Sequence, residues 1–148
     1  MSAEPEIFPD FPAYGEQITI RHLLHHTSGL IDYESLIPDT ATIQVLDKDV
    51  LNMMVLQDST YFPPGAEYRY SNSGYAVLAM IVEKVSGQRF ADFLKQNIFY
   101  PLGMTKTVAY EKGISEVENR AFGNANEDGK LVFKDQSLTS AVLGDGGI

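Results

Sequence analysis

Two short stretches carry the residue types that could do chemistry. In "YRYSNSGY", Tyr68 to Tyr75, a phenol and a carboxamide stand two positions apart at Tyr70 and Asn72. A phenol, which ordinarily titrates near about 10, becomes a useful acid or base when a neighbouring cation lowers it. A carboxamide offers both a donor and an acceptor to a substrate amide. The plainer readings are that Tyr70 packs with its hydroxyl hydrogen-bonded and that Ser71 or Asn72 caps the helix that follows. In "HHTSGL", His25 to Leu30, and one turn before it, His22, His25 and His26 form the second cluster. His22 shares a helix face with His25 or His26 at metal-ligand spacing. No third ligand is evident, and Leu23 follows His22 where a metalloprotease helix needs glutamate. The histidines are therefore read as structural hydrogen-bonders, with no metal. Ser28 precedes Gly29 at a helix end, where hydroxyls satisfy loose backbone groups, and is not expected to be a nucleophile.

The rest of the chain narrows the chemistry. It has 148 residues, 11 Lys and Arg against 20 Asp and Glu, a net charge of -9 and no cysteine. Phosphate backbones are bound by clustered basic residues, so nucleic acid is not an expected partner. Thiolate zinc sites, disulfides and a cysteine nucleophile are excluded. No Gly-x-Ser-x-Gly elbow occurs, no serine is followed three positions later by lysine, and "GDGGI" lacks the lysine of a phosphate loop. A self-contained serine hydrolase or phosphotransferase is hard to build from these residues, and no cofactor is expected.

Four helices must position the clusters. Thr19 caps a short, mostly buried helix carrying Ile20, Leu23 and Leu24, with Gly29 as its left-handed stop. Asp47 caps a second that runs through Val50, Leu51, Met54 and Val55 before "FPPG". The third follows Ser71 or Asn72, carries an apolar stripe of Tyr75, Leu78, Val82 and Val85, and stops at Gly87. The fourth carries Phe90, Phe93, Leu94 and Ile98 and ends at Pro101 and Gly103. Beyond Arg120, an Asp128-Gly129 turn between short segments predicts a hairpin over about residues 119–135. Residues 1–17, acidic and proline-rich, read as an extended lead-in without a signal peptide. The longest apolar stretch, Tyr75 to Val82, is far short of the roughly 20 residues of a membrane span. The glycine-rich turn at residues 144–148 stops without a following element, so the chain reads as cut there.

Taken together, "ITIRHLLHHTSGL", "FPPGAEYRYSNSGYAVLAMIVEKVSGQRFADFLKQNIFYPLGM" and "GDGGI" resemble, in order and spacing, the serine β-lactamase-like superfamily. The likeness is to the branch holding class C β-lactamases, D-alanyl-D-alanine carboxypeptidases and related esterases, and runs from about Ile18 to Ile148. That family builds its site from a Ser-x-x-Lys, a Tyr-x-Asn and a Lys-Thr-Gly or His-x-Gly; this sequence holds only the second. The resemblance implies that Tyr70 shares acid/base work with the lysine of the first motif. It implies that Asn72 bonds the substrate amide and steadies that lysine.

The expected fold is mainly α with a small β hairpin, an α+β unit like the helical subdomain of the β-lactamase/transpeptidase fold, over residues 18–148. Its core is expected to gather Leu23, Leu24, Leu51, Met54, Tyr75, Leu78, Val82, Phe90, Phe93 and Leu94. The complete enzyme would hydrolyse a small-molecule acyl substrate, a β-lactam, D-Ala peptide or ester, through an acyl-enzyme. Without a nucleophile the chain alone is expected to be inactive. The alternative is a non-catalytic binding module for a cell-wall peptide or acyl-D-amino acid. An apolar face left uncovered points to a homodimer. A periplasmic or secreted parent is compatible with the family and not fixed by the chain.

Overall fold

The computed structural model describes residues 7–147. Helix α1 (Ile20–Leu24) starts on a reciprocal cap: Thr19 Oγ1 accepts from His22 N at 3.2 Å, and Thr19 N donates to His22 Nδ1 at 3.4 Å. It ends earlier than expected, because His26 itself takes the left-handed conformation (φ 56°). Gly29 (φ 75°) is not the helix stop. Its carbonyl accepts from Tyr61 N at 2.8 Å, and a Cβ there would lie 2.4 Å from the Phe62 carbonyl oxygen. Glycine is needed for that close approach. Only Leu23 of α1 is buried, and Leu24, expected in the core, is 49% exposed. A five-residue helix buries one face, and its next residue lies about 100° round the axis.

Helix α2 (Asp47–Val55) is capped by Leu46, whose N–H donates to Asp49 Oδ2 at 3.0 Å. Asp47 is therefore the first helical residue and not the cap. Its buried carboxylate turns instead to the other end of the chain, accepting from Leu143 N and Gly144 N, each at 2.8 Å.

Helix α3 (Asn72–Ser86) is the longest element. Ser71 Oγ accepts from Gly74 N at 3.0 Å, which makes Ser71 the cap and Asn72 the first helical residue, and Gly87 (φ 69°) closes the other end. The buried face is not the expected stripe. Ser73, Gly74, Ala76, Val77, Ala79 and Ile81 face inward, Tyr75, Leu78 and Val82 are half-buried, and Val85 is 74% exposed. Small residues line this face: a Cβ on Gly74 would make an ordinary contact with the Leu23 carbonyl oxygen at 3.6 Å, while a Cβ on Gly144 would lie 2.4 Å from the Tyr75 carbonyl oxygen and 2.9 Å from the Ala79 side chain, so the close approach to α3 is at its small-residue side. The larger apolar residues are left on the other side.

Helix α4 (Phe90–Leu94) runs on into a π turn, Lys95–Phe99, and closes at Gly103 (φ 68°) just past Pro101. Strands β1 (Asn124–Glu127) and β2 (Lys130–Phe133) pair antiparallel, with Asn124 opposite Phe133 and Glu127 opposite Lys130. Asp128 and Gly129 both have positive φ, the tight hairpin turn that matches strand twist.

The main core joins Ile18, Leu23, Leu30, Tyr33, Val50, Met54, Val77 and Ile81. A smaller one holds Leu94, Phe99, Ala109 and Leu143. The lead-in is not extended throughout: Phe11 enters the core, and Ala13–Gln17 form a 3-10 turn whose Tyr14 hydroxyl donates to the Met54 carbonyl at 2.5 Å. Residues 1–6 lie outside the described residues. The fold is mainly helical with one hairpin, as expected.

Candidate active-site wall

Tyr70 lies in an extended segment leading into α3, and its side chain is 64% exposed. Two backbone groups that flank it are held from one place. Arg69 N donates to the His26 carbonyl at 2.9 Å, and Ser71 N donates to His26 Nδ1 at 3.2 Å. In extended backbone alternate N–H groups point the same way, so His26 supplies with one carbonyl and one ring nitrogen what a neighbouring strand would supply with two carbonyls. A neutral imidazole that accepts at Nδ1 carries its proton on Nε2. The imidazole also lies against the rings of Tyr70 (4.6 Å between centroids, tilted 35°), Tyr75 (5.0 Å, stacked at 24°) and Tyr68 (6.0 Å, edge-on).

Asn72 Nδ2 donates to Glu34 Oε1 at 3.1 Å at the surface. Glu34 belongs to a 3-10 turn (Tyr33–Leu36) capped by Asp32 and locked to α3 through Ser73: Tyr33 N donates to Ser73 Oγ at 2.9 Å, and Ser73 Oγ donates to the Ile31 carbonyl at 2.7 Å. Ser73 and Tyr33 are fully buried. The Tyr33 hydroxyl then donates to Asp145 Oδ2 at 2.8 Å. Burial, first, and the Asp145 carboxylate push the Tyr33 phenol up, so it stays a protonated donor. Burial also pushes Asp145 up to about 6, with Asp47 and Glu34 adding repulsion and the Tyr33 hydrogen bond opposing the shift. The GDGG turn expected to end loosely is thus held by Asp47, by Tyr33, and by the Gly147 carbonyl accepting from Tyr110 N at 2.9 Å.

The sequence-predicted residues come together only in part. Tyr70 and Asn72 share one edge of the molecule with His26. His22 uses Nδ1 on its own helix cap, His25 is exposed, and Ser28 is buried with its hydroxyl accepting from Leu30 N at 3.4 Å. Among the described residues no group of three or more His, Asp or Glu side chains is arranged to hold a metal ion, and no hydrogen bond reaches the Tyr70 hydroxyl. Tyr33, Glu34, Ser73 and Asp145 were not anticipated as site neighbours. Asp145 lies in the "GDGGI" stretch that the resemblance includes, whereas Tyr33, Glu34 and Ser73 carry no signal beyond their places beside helix caps.

A helical unit whose longest helix springs from Tyr-Ser-Asn, with a single hairpin beyond it among the described residues, matches part of the β-lactamase/transpeptidase-like fold. The family model described as Beta-lactamase matches residues 5–147, and the chain belongs to that family. It is 43% identical over 121 residues to penicillin-binding protein 4* of Bacillus subtilis (strain 168), covering 78% of this chain and 26% of that protein. It is 32% identical over 102 residues to a D-aminopeptidase of Cereibacter sphaeroides, covering 67% of this chain and 19% of the relative. Among solved structures, D-amino acid amidase from Ochrobactrum anthropi SV3 in complex with L-phenylalanine amide superposes with a TM-score of 0.75 at 27% identity, over 97% of this chain and 43% of that one. The octameric penicillin-binding protein homologue from Pyrococcus abyssi superposes with a TM-score of 0.72 at 26% identity, over 90% of this chain and 32% of that one. The chain therefore spans about a quarter or less of these curated relatives' length.

Proposed function

We propose that this chain forms the Tyr-Ser-Asn wall of a serine hydrolase site that opens an amide, ester or lactam bond through an acyl-enzyme. Tyr70 is its acid/base and Asn72 its substrate-amide contact. The observation that carries this reading is the exposed Tyr70 phenol on a segment fastened at both neighbours, beside an Asn72 amide that a substrate can compete for. The names of the relatives, penicillin-binding proteins, a D-aminopeptidase and a D-amino acid amidase, support an acyl group carrying a D-amino acid as the substrate class.

Acyl transfer needs an activated nucleophile, a base and donors aimed at the developing oxyanion. Tyr70 supplies the base, and the 148 residues contain neither Ser-x-x-Lys nor Lys-Thr-Gly or His-x-Gly. The chain alone therefore has no turnover of nitrocefin or D-phenylalanine p-nitroanilide. The test is a chimera in which residues 5–147 replace the matching part of penicillin-binding protein 4*. Acylation by a fluorescent penicillin and hydrolysis of the anilide are retained, and Tyr70→Phe lowers kcat/KM by about 10²–10⁴. An active chimera indifferent to Tyr70→Phe overturns the assignment. Saturable binding of either compound to the unmodified chain, without hydrolysis, would favour the binding-module alternative.

A further inference from the structure

His26 meets the Tyr-Ser-Asn segment in five ways: a carbonyl to Arg69 N, Nδ1 to Ser71 N, and ring contacts to Tyr68, Tyr70 and Tyr75. It does so from a left-handed backbone (φ 56°), a region in which Asn, Asp and His are enriched among the L residues. That geometry ends α1 and turns the ring and the carbonyl of one residue toward the same extended segment. A left-handed stop asks only for the backbone conformation, which glycine supplies most readily; the ring's hydrogen bond to Ser71 N and its contacts with three tyrosine rings are additional to that function. Tyr70 has little else to hold it: it is 64% exposed, and its hydroxyl has no partner among the described residues. A phenol that must meet a reacting proton to within a fraction of an ångström needs its ring fixed before substrate arrives.

We propose that His26 is the positioning residue for Tyr70, its Nδ1 setting the backbone on which Tyr70 stands and its ring setting the orientation of the phenol. This rests on Tyr70 being the acid/base of the site, but it makes a separate claim about how the side chain is held. The two contributions separate by substitution. His26→Asn keeps the left-handed backbone and offers a carboxamide oxygen to Ser71 N–H, and it removes the ring. His26→Gly keeps the backbone and removes both.

The test is nuclear magnetic resonance of the chain with labelled tyrosine rings, with Tyr70→Phe to assign the signal. In the unsubstituted chain the Tyr70 ring carries a ring-current displacement and contacts to His26, and it is more ordered than the ring of Tyr100. Tyr100 is equally exposed, at 62%, and serves as the internal standard. In His26→Asn the Tyr70 displacement and order fall to the level of Tyr100, and the Ser71 amide keeps its protection from exchange. In His26→Gly both are lost, while the amide shifts along α3 stay in place. A Tyr70 ring unchanged in the two variants overturns the proposal. So does a Tyr70 ring as mobile as Tyr100 in the unsubstituted chain, a measurement that needs no variant to fold. Ring order does not depend on turnover, so a failure here is distinct from an inactive chimera, which would sink the hydrolase reading and leave His26 holding a tyrosine of another use.

Discussion

At the residue scale, Tyr-Ser-Asn divides its labour by position. Ser71 is the cap, because its hydroxyl accepts from Gly74 N, and Asn72 is free of that duty because its amide points to Glu34. Ser71→Ala should therefore cost about 1 kcal/mol of stability, whereas Asn72→Ala, losing one exposed contact, should stay within about 0.5 kcal/mol. Urea denaturation of the two variants checks this, and equal losses would mean the capping role is shared. Much of this was legible beforehand. A serine or asparagine before a long apolar run marks a helix start, and the family pattern marks Tyr70 and Asn72. Which of the two residues caps was not legible, because it turns on whether Asn72 finds a different acceptor, and Glu34 lies 38 positions away in the chain. The sequence reads His26 as a structural hydrogen-bonder, and its ring accepts from Ser71 N. Its partner at Ser71 is set by a left-handed turn that no local pattern around a histidine announces.

At the scale of elements, the decisive contacts tie the last described residues to the first half of the chain. Asp47 opens α2 and holds the N–H groups of Leu143 and Gly144, and a Cβ on Gly144 would lie 2.4 Å from the Tyr75 carbonyl of α3. Helical periodicity predicts helices and not such long-range anchors, which is why Asp47 read as an ordinary cap and the glycine turn as a loose end. The same limit explains the misplaced stripe on α3, where the packing face is chosen by how closely its neighbours approach and not by which residues are most apolar. Asp47→Ala should cost roughly 1–3 kcal/mol, since it strands a buried amide. Gly144→Ala should loosen the same segment, seen as faster proteolysis around residues 136–147. The segment also carries a pH signature through Asp145. A carboxyl raised from 3.8 to about 6 holds its proton more tightly folded than unfolded. Its contribution is therefore fully present below the unfolded value and is lost as pH rises through about 4 to 6. Asp145→Asn should flatten this part of the stability profile relative to the unsubstituted chain; a variant whose profile runs parallel to the original would show that Asp145 is not the group responsible.

At the scale of the whole molecule, apolar surface is left facing solvent: Val85 on α3, Tyr100 and Leu102 past α4, and Leu131 and Phe133 on β2 are all more than half exposed. The D-amino acid amidase, which this chain matches over 43% of its length, has more than half of its chain beyond the matched part to set against such faces. Strand β2 is also unpaired on its outer edge in the two-stranded sheet, and an exposed apolar edge is a template for another chain. Against association stands the net charge of -9, which two copies must bring together. The balance has a definite salt dependence, because the screening length falls from about 10 Å at 0.1 M to about 3 Å at 1 M and weakens repulsion without touching apolar burial. Sedimentation equilibrium should therefore show a monomer–dimer equilibrium shifting toward dimer as salt rises. Phe133→Glu, which places a further negative charge on the β2 face, should shift it back. A monomer at every salt and protein concentration would mean that these faces stay solvated and that the homodimer is not formed. Association strengthened by salt and unaffected by Phe133→Glu would move the contact from the hairpin to the Val85 face of α3.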